Sequence, residues 1–439
     1  VASTGEEPLV IDEYDVVIVG GSLAGCAAAI NFGRRGFRVA VLEAHRDPAF
    51  YKRLCTHLIQ PTSLPAVQRL GLDSPIEAAG GVRMHTSFWT PVGWAHEHSV
   101  ADLDRHGYIL RRSVLDPLIR EMASATAGVD LVLGAKVRAL HRTGSRIDGV
   151  VAHVDGAERT VRGRMVIGAD GVNSRIAEAA ALPARLSPNR RASYFAYFRN
   201  VPIPEGNFRV WLMPPDALGL INSDDGLTLV SMLVDKQRVP DLLEGKEDYF
   251  RRRFAELPDP PDLSRAERVS DIIGTKDRPN VTRLRIVRPG LALLGDAALS
   301  ADPLRGVGCG WAIESAEWLA ETTADALATG DPDRLDSALR RYQRTHRRQL
   351  WPQQLVFNRN SRQAAPPPPV RKLLATAAAD PYVAERFWPV IQRTASAKTL
   401  LSRRVLASVR RVGGGRLDGW RIPEPIASSR PELFIDQVE

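Results

Sequence analysis

The sequence predicts an α/β fold, and three observations carry that prediction. The run Tyr14-Asp-Val-Val-Ile-Val19 is rich in β-branched residues, as a strand buried on both faces requires. It breaks at Gly20-Gly21-Ser22 into an Ala-rich helical pattern. A second strand pattern, Val39-Ala-Val-Leu-Glu43, follows and ends in a carboxylate. Together they form a β-α-β unit of the Rossmann-like kind, which grips the ADP half of a dinucleotide.

Each part of the unit has a physical reason. Gly20 permits the tight turn off the strand, and Gly25 lets the helix pack close to it. Between them, the amide groups of Gly21, Ser22, Leu23 and Ala24 open a helix whose dipole favours a diphosphate. Ser22 stands where G-x-G-x-x-G has its second glycine. Its side chain is small enough for close approach, and its hydroxyl can donate. Glu43, followed by Ala44, lies 23 positions after Gly20, near the roughly 20 expected for the acid that holds a ribose hydroxyl. A carboxylate there repels a 2′-phosphate, so FAD or NAD is expected rather than NADP. A hydrolase elbow needs G-x-S-x-G, and position 24 is Ala.

With 439 residues, 44% of them hydrophobic and 25% charged, the chain can bury two or three domain cores. No apolar run reaches the ~20 residues that span a bilayer, and Val1–Glu13 is polar and acidic, so a cytoplasmic location is expected. Cys26, Cys55 and Cys309 have no metal-ligand spacing, and Cys26 and Cys309 read as small packing residues. The formal charge is +8, and the stretch from Arg393 to Leu417 contains basic residues and no acid. No helix-turn-helix, zinc finger or RNP motif accompanies it, so no nucleic-acid partner is expected.

Further strands are expected near 131–140, 147–155 and 158–168. Antiparallel sheet is expected at Ala192–Val201, Phe208–Met213 and Leu227–Val234, with turns rich in Pro, Gly and Asp between them. A long helix begins near Gly308. Leu335, Leu339, Tyr342 and Leu350 mark another, and Pro366–Pro369 is a stiff break. This ordering divides the chain into a discontinuous cofactor domain (14–75, 111–185 and 286–330), a substrate-binding sheet domain (76–110 and 186–285), and a C-terminal helical region and tail (331–439).

Two later segments sharpen the cofactor reading. Met165-Val-Ile-Gly-Ala-Asp-Gly-Val-Asn-Ser174 is a strand ending in an Asp170-Gly171 turn. Leu293-Leu-Gly-Asp-Ala-Ala298 is followed by Asp302-Pro-Leu-Arg-Gly-Val-Gly-Cys-Gly310 and a helix. With the first glycine turn, these resemble the motifs of the single-component FAD-dependent monooxygenases, the aromatic-hydroxylase class, and their relatives the geranylgeranyl reductases and flavin halogenases. The resemblance covers about residues 14–330. It implies a Rossmann-like FAD-binding domain interleaved with an antiparallel-sheet substrate domain. Asp296 would bond the ribityl chain. Gly306, Val307, Gly308 and Cys309 would bring a helix N-terminus to the anionic edge of the reduced flavin. Arg112, in an R-x-x-L pattern, would reach FAD, the backbone of Val137 would meet the adenine, and Asp170 would sit at the cofactor. The chain departs from the family at Leu299, where histidine is usual, and at Ala177, where an arginine commonly closes the motif. The halogenase W-x-W-x-I-P is absent. Lys52-Arg-Leu-Cys55 resembles only loosely the K-x-C-G-G of the prenyl reductases.

The resemblance implies transient NAD(P)H binding, flavin reduction, and reaction with O2 through a flavin C4a-hydroperoxide to hydroxylate or epoxidise a small organic substrate, in specialised metabolism. Two other readings remain: a flavin-dependent reductase or dehydrogenase of a prenyl or polyene substrate, and a cyclase or isomerase in which FAD is structural. His57 is a candidate for substrate orientation or proton transfer. Trp89, Trp211 and Met213 are candidate pocket residues on strand patterns. An acidic carrier protein or a membrane surface is an expected partner for the basic C-terminal stretch.

Overall fold

In the computed structural model, which describes residues 10–90, 93–96, 106–204, 206–213, 215–363, 367–391 and 395–411, the predicted β-α-β unit forms the centre of a parallel sheet. The strands Leu291–Leu293, Ala157–Gly168, Val10–Val19, Val39–Glu43 and Val129–Leu133 lie side by side in that order. Val16, Val17 and Ile18 are fully buried and pair with Val39, Ala40 and Val41. Burying such side chains contributes about 1.5–3 kcal/mol each. The helix Leu23–Gly33 follows Gly20, packs on this sheet and lies against the helix Gly308–Ala328. Gly20 has φ +107°, and a Cβ there would sit 2.5 Å from the Ala169 carbonyl oxygen. The chain crosses from its first strand at a point where its neighbour also turns.

The second sheet carries Arg191–Arg199, Thr228–Asp235, Asp216–Asn222, Asn207–Met213 and Val82–Thr90 in sequence. The strand Asp216–Asn222 was not expected. Pro214-Pro215-Asp216 and Gly219 read as turn sequence, yet the segment is antiparallel to both neighbours and nearly all of it is buried. Gly219 lies against the Ser231 hydroxyl, where a Cβ would come within 2.8 Å. Close packing across the sheet outweighs the weak strand preference of Gly.

The two faces of this sheet do different work. The helices Val239–Glu244 and Lys246–Ala255 cover one face, on a core of Trp211, Leu218, Leu220, Met232, Phe250 and Phe254. The other face presents Phe208, Val210, Ala217, Ile221 and Leu233. The C-terminal helices Pro368–Ala379, Pro381–Ile391 and Arg403–Arg411 pack against this second face, with Trp388 stacked on Phe88 at 4.9 Å. Between the sheets' ends runs Pro332–Arg362, whose first turn is capped by the Asp331 carboxylate. Of the basic C-terminal stretch, Lys398, Arg403, Arg404, Arg410 and Arg411 are described, and Arg404 stacks on Tyr382. Arg393, the rest of that stretch beyond Arg411 and Pro366 lie outside the described residues. Among those residues, no helix is long and apolar enough to cross a membrane.

Candidate cofactor site

A cavity of about 890 Å³ opens along the carboxyl ends of the parallel strands, the usual ligand crevice of such sheets. At one end sits Glu43, which is almost fully buried. Its carboxylate accepts the Gly21 N–H at 2.7 Å and the His45 N–H at 2.9 Å, and it faces His45 Nδ1 at 2.6 Å. An ionised carboxylate has about four acceptor positions, which leaves room for a ribose hydroxyl. Ala44, Lys136, Val137 and Arg138 line the same end. Asp170 and Gly171 form the adjoining wall. Asp170 accepts the Ser174 hydroxyl at 2.5 Å and the Ile176 N–H at 3.1 Å, while burial raises its pKa.

The middle of the cavity runs past the start of the first helix. Gly20, Ser22, Leu23 and Ala24 line it. Gly21 and Gly25, expected at the ligand, do not. Gly21 is held behind the wall by Glu43, and Gly25 lies so close to the turn that a Cβ would come 1.9 Å from the Gly20 oxygen. Their role is to shape the turn that other residues present. Arg112 reaches in from the helix Arg112–Ser124 and is 5% exposed. Its guanidinium donates to Ser22 Oγ at 2.9 Å and pairs with the fully buried Asp116 at 2.6 Å. Burial opposes the Arg112 charge, but Asp116 and the nearby cysteines raise its pKa above the ordinary arginine value.

At the far end, Asp296 pairs with Lys52 Nζ at 2.5 Å and Arg278 at 3.4 Å. Burial would raise the Asp296 pKa, but Lys52, Arg278 and Arg112 outweigh it and hold it at about 2. Gly306, with φ +59°, turns the chain against Leu58 into the helix Gly308–Ala328. Val307, Gly308 and Cys309 line the cavity, and a Cβ at Gly308 would meet nothing within 4 Å. The amide groups of this first turn have no intrahelical partners, so the helix offers donors and a positive dipole end to the cavity.

Sequence reasoning missed Lys52, Arg278 and His45; it placed the Cys309 backbone at the flavin edge and read its side chain as packing. Lys52 and Cys55 stand in the only part of the loop after the second strand that carried any motif likeness. Arg278 carried no signal. Four candidate pocket residues are corrected. Trp211 and Met213 lie on the sheet face under the helices Val239–Glu244 and Lys246–Ala255, not on the cavity side, and Trp89 packs with them. Trp211 is fully buried and donates its indole N–H to the Pro258 carbonyl at 2.9 Å. Strand parity decides this: Phe208 and Val210, three and one positions before Trp211, take the opposite, cavity-side face. His57 is 1% exposed and turned away from the wall, stacked near Tyr197, with φ +47°. Its neighbours Thr56 and Leu58 line the cavity instead.

A family model described as an FAD binding domain matches residues 13–351. The chain belongs to this family. It is 25% identical over 353 residues to digeranylgeranylglycerophospholipid reductase 1 of Methanococcoides burtonii, covering 76% of this chain and 80% of that protein. It is 28% identical over 362 residues to the reductase 1 of that name from Methanopyrus kandleri, covering 75% and 85%. In fold it is similar to PqsL, a probable FAD-dependent monooxygenase from Pseudomonas aeruginosa (TM-score 0.66, 22% identity, 85% of this chain and 98% of that one). It is also similar to the myxobacterial chondrochloren halogenase CndH (TM-score 0.69, 20% identity, 93% and 98%). The family's members are FAD-dependent oxidoreductases, and this chain is an FAD-dependent enzyme of that kind.

The residues present fit that cofactor. A long crevice runs from an acid that a ribose can reach, past a helix N-terminus, to a second helix N-terminus flanked by an ionised aspartate and two cations. Gly25→Ala tests the first turn. Overpacking typically costs about 1–3 kcal/mol, and this Cβ meets backbone that cannot rotate away. The variant is expected to show a lower urea midpoint and at least tenfold weaker FAD retention. Wild-type retention would mean that the turn does not set the diphosphate seat.

Proposed function

We propose that this chain is a monooxygenase that hydroxylates or epoxidises an apolar small organic substrate, with NAD(P)H as a transient reductant. One observation carries this reading. Beside the cofactor crevice, sharing Thr56, Leu58 and Pro303 with it, lies an apolar gap of about 10 Å³ walled by Phe208, Val210, Ile221 and Leu233, which must widen to admit a substrate. The polar side chains there are the hydroxyls of Thr56 and Ser231, and no carboxylate or imidazole lines it among the described residues. Oxygen insertion at carbon needs a dry, shaped cavity more than a protein base.

FAD supplies electron storage and oxygen activation when bound, and the chain supplies its placement. Glu43 would hold the ribose, the Ser22–Ala24 turn and Arg112 the diphosphate region, Asp170 the adjoining wall, and Asp296 the ribityl chain. Gly306 to Cys309 would stabilise negative charge at the ring edge through the helix dipole. The ion pairs of Asp296 keep it charged and fixed. The sheet face and the C-terminal helices packed on it exclude water from the substrate side. The acid-free basic stretch from Arg393 to Leu417 supports an anionic docking partner, an acidic carrier protein or a membrane surface, for the same reading.

A second reading, reduction of a carbon–carbon double bond in a prenyl substrate, is favoured by the names of the curated relatives and by a cysteine on the cavity wall. Turnover under 18O2 separates the two. One 18O atom in the product is expected, with O2 consumed in step with NAD(P)H. A product that gains two hydrogens in the absence of O2 supports the second reading and removes the first. Turnover that needs neither NAD(P)H nor O2 removes both.

A further inference from the structure

We propose that Cys55 and Cys309 form a reversible dithiol–disulfide site on the cavity wall, with hydroperoxide as oxidant and a small thiol as reductant. The two sulfurs are 254 positions apart in sequence and 3.7 Å apart in space. Both residues line the cavity at the Gly306–Cys309 end. Closing the gap to a bond of about 2.05 Å needs a shift shared between two side chains. Arg112 Nη1 stands 3.6 Å from one sulfur and 3.8 Å from the other. The His57 N–H also points to Cys55 Sγ at 3.3 Å. A buried guanidinium and a backbone donor on one sulfur are what a thiolate needs.

The electrostatics separates the two partners. The contact with Cys309 Sγ, Arg112 and Lys52 hold the Cys55 thiol well below the ordinary range despite burial, in keeping with the His57 N–H on that sulfur. Cys309, its partner across that contact, is held above it. Cys26 provides the contrast. It is fully buried in the first helix, its thiol donates to the Gly21 carbonyl at 3.3 Å, and burial pushes its pKa up to about 12. Only Cys55 has the character of an attacking group, and only Cys309 is placed to resolve it.

The chemistry balances in two steps. The Cys55 thiolate attacks the terminal oxygen of hydrogen peroxide, forming an S–O bond as the O–O bond breaks. Sulfenic acid and hydroxide result. The Cys309 sulfur then displaces water, forming the S–S bond, with its proton leaving in that water. The pair loses two electrons and the peroxide gains them. Two equivalents of a small thiol reverse the change. The inference rests on the flavin reading only for the source of oxidant, which FAD held in this cavity would supply from O2 once reduced; added hydroperoxide serves equally. Oxidation would remove the thiolate charge beside Arg112 and tie the loop after the second strand to the start of the helix Gly308–Ala328.

Peptide mapping of the full chain tests the proposal. The purified FAD-loaded protein is treated with stoichiometric hydrogen peroxide, then alkylated under denaturing conditions before and after dithiothreitol. Two thiols are expected to disappear and return, with a single cross-linked peptide pair containing Cys55 and Cys309. In Cys309→Ser, a dimedone adduct is expected on Cys55 instead of a cross-link. Three alkylatable thiols after peroxide, a link to Cys26 or a link between chains would overturn the proposal. Visible flavin absorption read on the same samples reports the cofactor reading separately, because a colourless protein can still show or fail to show the cross-link.

Discussion

Arg112→Met is expected to destabilise the fold by about 3–5 kcal/mol, the cost of leaving a buried charge unpaired, and to abolish stable FAD retention. Asp116 is fully buried, and Arg112 is the cation against it at 2.6 Å. The Lys52 N–H at 2.9 Å and the Ser22 hydroxyl at 3.5 Å are dipoles that cannot replace a guanidinium. A stability loss alone does not distinguish a structural ion pair from a cofactor contact. The double variant Arg112→Met/Asp116→Leu does. Replacing both members of a buried pair with apolar residues of similar size is often nearly neutral, so the urea midpoint is expected to recover most of the loss. FAD retention is not expected to recover, because Ser22 has lost its partner and the diphosphate region its positive charge. Recovery of both together would make Arg112 a folding residue and nothing more.

That experiment also bears on how much of the site the sequence carries. Gly20, Glu43, Asp170 and Asp296 are legible because each marks the end of a strand, and Gly306 because it turns the chain into a helix; such turns leave local signals. The structure brings all five to one cavity. Lys52 and Arg278 are not legible. They meet Asp296 from positions 244 and 18 residues away in the chain, and no local pattern records such an encounter. The tryptophans fail for another reason. Alternation shows that Trp211 and Val210 face opposite ways, but it does not say which face receives the helices Val239–Glu244 and Lys246–Ala255. The strand Asp216–Asn222 fails because its Gly and Pro neighbours are local signals that tertiary pairing overrides. Cys55 and Cys309 combine both difficulties: each is unremarkable alone, and their meaning lies in the 3.7 Å between them.

Stability is expected to fall steeply between pH 7 and pH 4, and two histidines account for the sign. His57 and His346 are 1% and 3% exposed, and burial lowers the pKa of each to about 4. Around His57, Cys55 and Asp224 favour the proton while Arg112 and Arg111 oppose it, and Tyr197 stacks beside the ring. His346 packs edge-on to Tyr342 at 5.8 Å and owes its shift to burial alone. In the unfolded chain each titrates near 6.5. Between about pH 6.5 and pH 4 the unfolded state therefore binds more protons than the folded state, and stability decreases as pH falls. Each histidine contributes a loss on the order of 2 kcal/mol by pH 5. Asp296 adds nothing in this window, because its folded pKa of about 2 places its own loss below it. Urea midpoints measured at pH 7.5 and pH 5 check the slope. His346→Leu, of similar volume and away from the cavity, is expected to remove about half of the difference while leaving FAD absorption intact. An unchanged slope in that variant would mean that His346 is already charged in the folded protein, with an acid close enough to pair with it.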